Sequence, residues 1–144
     1  MSVVVDASVA VKWFVPEEGH EAAFAVLQVR TPKWIPDFGL VEIVNVLRKK
    51  LRAGQIAARQ IGEIIDTFPN LFASVVPTLD LIGDAWNIAR MLDHPIYDCL
   101  YLACAERHGL ELITTDRRFF DKVRANRGGG SIRLLHSSNT LPHI

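Results

Sequence analysis

Asp6, Glu42, Asp98 and Asp116 are acids in places that disfavour acids. Asp6 closes the apolar run VVV, Glu42 lies within FGLVEIVNVL, Asp98 within IYDCLYLACA, and Asp116 follows LITT. An ionised carboxylate among apolar residues is costly unless it is paired or holds a metal ion. Carboxylates brought together repel, and each raises the pKa of its neighbours. A divalent cation removes that conflict. Ligation by Asp and Glu oxygens alone, without a matching His or Cys set, selects Mg²⁺ or Mn²⁺ over zinc. The chemistry open to such a centre is hydrolysis, because a bound cation polarises a phosphoryl oxygen and lowers the pKa of a bound water.

Each acid also has a plainer reading. Asp6 and Asp116 both stand between an expected strand and an expected helix, where Asp is a favoured N-cap. For either residue alone, capping and chemistry weigh evenly. Asp98 falls in the first turn of a helix opened by Pro95, where the helix dipole welcomes a negative charge. That accounts for tolerance of the charge, but not for its presence in a helix apolar nearly all round and therefore expected to be buried. Glu42 shares a face with Asn45, three residues on, and Lys49 extends the stripe, so a solvated seam would also serve. Val41, Ile43, Val44 and Val46 leave little room for a wide one. The five histidines, His20, His94, His108, His136 and His143, show no paired ligand spacing and read as surface or incidental residues. Cys99 and Cys104 point to different sides of one expected helix at about 100° per residue and cannot bridge. They read as small buried residues in a reducing compartment.

The elements that must position these acids alternate along the chain. Residues 2–5 form a continuous apolar, β-branched run expected of a strand buried on both faces. Further strands are expected at 33–35, 72–76, 112–114 and 132–135. Helices are expected at 7–14, 18–30, 38–52 (with Asp37 as N-cap and Gly54 as stop) and 57–68, ended by Pro69. Three more follow at 81–92, at 96–108 with Pro95 as a first helical residue and Gly109 as stop, and at 117–125, before a loose tail from 136. This alternation implies a mostly parallel sheet with helices on both faces. Ligands of such sheets sit beyond the carboxyl ends of the strands, at the switch in strand order. Asp6 and Asp116 lie on that edge.

The bulk properties bound the remaining choices. A chain of 144 residues, 49% hydrophobic and 22% charged, suits one domain with a real core. No apolar run approaches the roughly 20 residues that span a bilayer, and the N-terminus lacks the basic region of a signal peptide. A soluble, intracellular protein is expected. Sixteen basic and sixteen acidic residues cancel, unlike the excess of a general nucleic-acid coat. The local clusters Arg48, Lys49, Lys50, Arg52 and Arg117, Arg118, Lys122, Arg124, Arg127 read first as solvated faces. A haloacid-dehalogenase-like phosphatase would need a second Asp where Ser8 stands. A receiver-like module would keep its acid pair together near the N-terminus. The glycines at 128–130 lack the Gly-Lys-Ser/Thr of a phosphate-binding loop. The competing reading from another class is a non-catalytic partner-binding module, supported by the apolar Ile61, Ile64, Ile65, Phe68 and Leu71.

Four segments, VVVDASVAVKWF, the E-x-x-N of Glu42 and Asn45, YDCLYLACAE and LITTDRRF, occur in order and with their spacing kept. Together they resemble the PIN-domain nucleases, and within that family the VapC-type toxins of bacterial toxin–antitoxin pairs. The resemblance implies a three-layer α/β/α fold, with a mostly parallel central sheet, over 1–144. It also implies a cytoplasmic endoribonuclease using Mg²⁺ or Mn²⁺, which pairs as a homodimer and is silenced by a small antitoxin occluding the acidic cleft. By position, Asp6, Glu42, Asp98 and Asp116 match the family's four acids. Ser8 matches its small hydroxyl position, and Thr114 or Thr115 the hydroxyl residue ahead of the last acid. Arg117 and Arg118, directly after Asp116, are the basic pair better placed to track an RNA backbone.

Overall fold

The alternation is realised as β1 (Val3–Val5), α1 (Ala7–Val11), α2 (His20–Gln28), β2 (Lys33–Pro36), α3 (Asp37–Arg52), α4 (Ala58–Leu71), β3 (Ser74–Val76), α5 (Thr78–Leu92), α6 (Ile96–His108), β4 (Glu111–Thr114), α7 (Arg117–Arg127) and β5 (Ile132–Leu134). The structure is a computed structural model and describes residues 1–135. The tail expected to be loose from 136 lies outside the described residues, as do His136 and His143. Among the described residues no helix is long and apolar enough to cross a membrane.

All strand pairs are parallel, in the order β3-β2-β1-β4-β5. β1 is central, and its three valines are buried, as a strand covered on both faces requires. The chain steps from β1 to β2 and β3, then returns across β1 to build β4 and β5. Right-handed crossovers therefore place α1 to α4 on one face and α5 to α7 on the other. The packing agrees: α1 lies on α3 and α3 on α4, while α5 packs on α6 and α7, and α6 crosses β1, β2 and β4. The result is the α/β/α sandwich expected. Between β1 and β4 the direction of winding reverses, so the helices that follow them part to opposite faces and leave a crevice at the strand ends.

Several boundaries move, each for a local reason. α4 runs through Pro69 to Leu71 instead of stopping before it. Pro69 is exposed and costs only the bond to the Ile65 carbonyl, and the burial of Ile64 and Phe68 carries the helix across it. Phe72 closes α4, donating its N–H to Phe68, so β3 begins later than expected. The first helix shortens to Ala7–Val11 and gives way to turns. Asp37 is the first residue of α3 and not its cap; its carboxylate accepts from the Thr78 N–H at 2.9 Å and from the Thr78 hydroxyl, tying α3 to the start of α5. Pro95 is the N-cap of α6. Within α6, residues 99–105 are all buried. Cys99 and Cys104 are free thiols that burial pushes up to about 11 and about 12, so both stay protonated and inert.

Gly39 sits where α3 crosses β2. A Cβ there would lie 2.5 Å from Ile35 Cγ1 and 3.0 Å from Tyr101 Cε1. Ile35 and Tyr101 are fully buried and cannot swing aside. Gly39→Ala is therefore expected to cost about 1–3 kcal/mol by overpacking, read as a lower urea midpoint with an unchanged m-value.

Candidate active site

Asp6 follows β1 directly and Asp116 stands two residues past β4, so the strand pairing fixes both at the switch point. Both are N-caps. Asp6 Oδ1 accepts from the Val9 N–H at 3.1 Å, and Asp116 Oδ1 from the Phe119 N–H at 3.0 Å. Capping and chemistry are thus compatible here, because the cap is what holds each carboxylate at the mouth of the crevice. The hydroxyl residues knit the two strand ends together. Ser8 donates to Asp6 Oδ1 at 2.5 Å and accepts from the Thr115 N–H at 3.3 Å. Thr114, fully buried, also bonds Asp6 and accepts from the Asp116 N–H at 3.1 Å.

The other two acids come from opposite faces of the sheet. Glu42, on α3, accepts from the Tyr101 hydroxyl at 2.5 Å. Asp98, in the first turn of α6, meets His94 Nε2 at 2.7 Å. The expectation that Asp98 is buried with its helix is corrected: its side chain is 36% exposed, because the full burial of α6 begins only at Cys99. Asp116 is exposed, Glu42 half-buried and Asp6 buried. The four carboxylates line one cleft of about 320 Å³, together with Ser8, Thr115, Lys12, Glu17 and Lys50.

Burial dominates the electrostatics of the cleft, and the charge of Asp98 adds a smaller repulsion. Burial pushes the Asp6 carboxyl up to about 6, with the negative charge of Asp98 adding to the rise and bonds from Ser8, Thr114 and Val9 opposing it. Glu42 is also raised, again chiefly by burial; the Tyr101 hydrogen bond opposes the rise and Asp98 adds to it. The field of Asp98 therefore acts on both neighbours. Among the described residues no group of three or more His, Cys, Asp or Glu side chains stands close enough to enclose a single ion. That arrangement fits a hard cation that keeps much of its water shell, since Mg²⁺ is usually bound through one or two carboxylates. The donor set is oxygen throughout.

His94 was missed by the sequence reading, which treated the histidines as incidental. All three described histidines have partners: His20 meets the Lys12 carbonyl at 2.6 Å, and His108 lies against Trp34. His94 alone of these touches an acid of the cleft. Its Nδ1 is 3.2 Å from Lys122 Nζ. An ammonium can only donate, so the proton is assigned to Nε2, which donates to Asp98. The ring is packed 4.8 Å from Phe119 and its side chain is 9% exposed. The signal available in the sequence was the i,i+4 spacing to Asp98, hidden by the proline between them. Asn45 does not reach the acids; it is exposed and lines a separate apolar groove with Leu40, Val41, Val44, Arg48 and Phe68. Arg117 and Arg118 are exposed, and Arg117 lines a cavity adjoining the cleft with Lys12 and Thr115.

A doubly wound α/β/α sheet with acids gathered at its switch point defines the class. The chain belongs to the PIN domain family, whose model matches residues 3–126. It is 29% identical over 127 residues to Ribonuclease VapC3 of Pyrobaculum aerophilum, covering 87% of this chain and 97% of that protein. It is 28% identical over 116 residues to Ribonuclease VapC3 of Mycobacterium tuberculosis, covering 81% and 83%. Among solved structures, a Pyrobaculum aerophilum protein superposes with a TM-score of 0.60 at 25% identity, covering 92% of each chain. VapC20 of Mycobacterium tuberculosis, described as a sarcin–ricin loop cleaving toxin, superposes with a TM-score of 0.68 at 17% identity, covering 82% of this chain and 92% of that one. The latter likeness establishes the fold.

Proposed function

We propose that this chain, as one PIN domain over 1–144, is a metal-dependent endoribonuclease and the toxin of a toxin–antitoxin pair, acting in the cytoplasm. The observation that carries the proposal is the lining of one cleft by four acids drawn from two strand ends and two helices. The relatives named ribonucleases, one matched over 97% of its length, support the choice of RNA as substrate.

Asp6 and Asp98 would hold a Mg²⁺ or Mn²⁺ ion, with Glu42 and Asp116 reaching it through water or holding a second. Such an ion supplies Lewis-acid polarisation of the phosphodiester and a water of lowered pKa. Ser8 and Thr114 fix the carboxylate of Asp6, His94 fixes that of Asp98, and Tyr101 that of Glu42, so each acid oxygen is aimed before substrate arrives. In-line attack by water on phosphorus breaks the bond to O3′ and leaves a 5′-phosphate and a 3′-hydroxyl. The ribose 2′-hydroxyl takes no part. Arg117 and Arg118 would track flanking phosphates. An antitoxin is the partner that would occlude the cleft, and a second copy of the chain the partner that would cover exposed apolar side chains such as Leu79, Ile82 and Trp86 on α5.

Purified protein is expected to cleave single-stranded RNA with Mg²⁺ or Mn²⁺ and to stop on adding EDTA. A non-catalytic binding module would cleave nothing under either condition. His94→Ala is expected to lower kcat/KM by roughly 10- to 100-fold, the usual cost of losing a group that orients a ligand. His94→Gln, which keeps a donor, should recover part of the loss, whereas a residue needed only for packing would show no such rescue.

A further inference from the structure

Three charged side chains outside the acid set share the cleft wall: Lys12 just past α1, Glu17 ahead of α2 and Lys50 in the last turn of α3. Glu17 receives both lysines. Lys12 Nζ reaches Oε1 at 3.3 Å and Lys50 Nζ reaches Oε2 at 2.5 Å, and Lys12 also donates to the Glu18 carbonyl at 2.8 Å. All three side chains are only 19–24% exposed, so this is not the solvated face expected of Lys50 from sequence.

We infer that Lys12 and Lys50, held in place by Glu17, are the substrate-phosphate binding residues of the acidic cleft and dock the backbone of single-stranded RNA against it. The inference rests on the nuclease reading above. Its basis is charge. Two ammoniums share one carboxylate, so the group places one net positive charge on the wall of an otherwise acidic cleft. An incoming phosphate finds its attractive contact there. The four acids repel an approaching RNA backbone, and ammonium groups bind phosphate as compact charges that offset this. Tethering by Glu17 removes beforehand the rotamer freedom that two free lysines would lose on binding. Lys12 also borders the adjoining cavity that holds Arg117, so it links that cavity to the acidic cleft.

The test uses the full chain with a labelled single-stranded RNA. Lys12→Met and Lys50→Met should each raise KM roughly tenfold, the size of one charge-assisted hydrogen bond, with a smaller change in kcat. Each should also make the slope of log kcat/KM against log salt shallower by about 0.7, as loss of one phosphate contact on a single strand requires. Lys→Arg at either position should restore the slope. On the unaltered protein, excess RNA should slow acetylation of Lys12 and Lys50 by acetic anhydride, read by mass spectrometry; this needs no folded variant. Unchanged KM and salt slope in folded variants, or equal acetylation with and without RNA, would overturn the inference. If the unaltered protein cleaves no RNA the nuclease reading fails by itself, while acetylation protection and anisotropy of the labelled RNA still judge the lysines.

Discussion

Asp98→Asn is expected to lower RNA cleavage by roughly a hundredfold or more, beyond what groups orienting a ligand usually cost, while leaving the fold intact or slightly stabilised. Asn has the same shape, and its side-chain oxygen, turned into the place of Oδ2, can still accept from His94. What disappears is a negative charge that now pushes up both Asp6 and Glu42. In the metal-free protein that relief offsets the weaker bond to His94 and the lost charge at the start of α6, and the loaded enzyme loses an acid oxygen. Thermal denaturation in EDTA beside initial rates in Mg²⁺ separates the two effects. Cleavage at the unaltered rate would remove Asp98 from the machinery. A large drop in stability would mean that its role is structural.

The second large effect concerns Asp6 and pH. Burial raises its carboxyl from an ordinary 3.8 to about 6. The folded chain therefore holds this proton more tightly than the unfolded chain does. Between about pH 4 and pH 6 the folded state binds more protons, so stability falls as pH rises through that window and stays lower above it. Two pKa units correspond to about 3 kcal/mol. Asp6→Asn has no proton to lose, and its side-chain oxygen can keep the cap to Val9 and the bond from Ser8. In EDTA, urea denaturation at pH 4 and pH 7 should show the native chain losing about 2 kcal/mol relative to Asp6→Asn. Saturating Mg²⁺, which binds only the ionised carboxylate, should close that gap at pH 7. A difference that is constant across pH, or indifferent to Mg²⁺, would show that Asp6 is a cap and nothing more.

What the sequence made legible followed from local pattern plus topology. A run such as VVV ending in Asp6, and LITT ending in Asp116, reports a strand end directly, and the parallel-sheet rule brings such ends to one edge. The deep burial of α6 was equally plain from its composition. The exposure of Asp98 was not, because composition gives no measure of where along a helix the packing begins. Asn45 illustrates a second limit. Three residues along a helix leave a side chain roughly 60° from its neighbour, enough to put Glu42 in the cleft and Asn45 in a different groove. His94 depends on the packing of its ring against Phe119, 25 positions away, and the pair Glu17 and Lys50 on contact across 33 positions. Such pairings are tertiary, and neither periodicity nor spacing encodes them. Pro69 was over-read, since a proline in the exposed last turn of a helix costs a single bond that core packing can offset.

A hard cation is expected to join carboxylates brought from separate parts of the chain. Crystals soaked in Mn²⁺ near neutral pH, with anomalous differences recorded, test it most directly. The expected result is a manganese peak within ligating distance of Asp6 and Asp98. An empty cleft in crystals of protein that cleaves RNA under the same ionic conditions would contradict it.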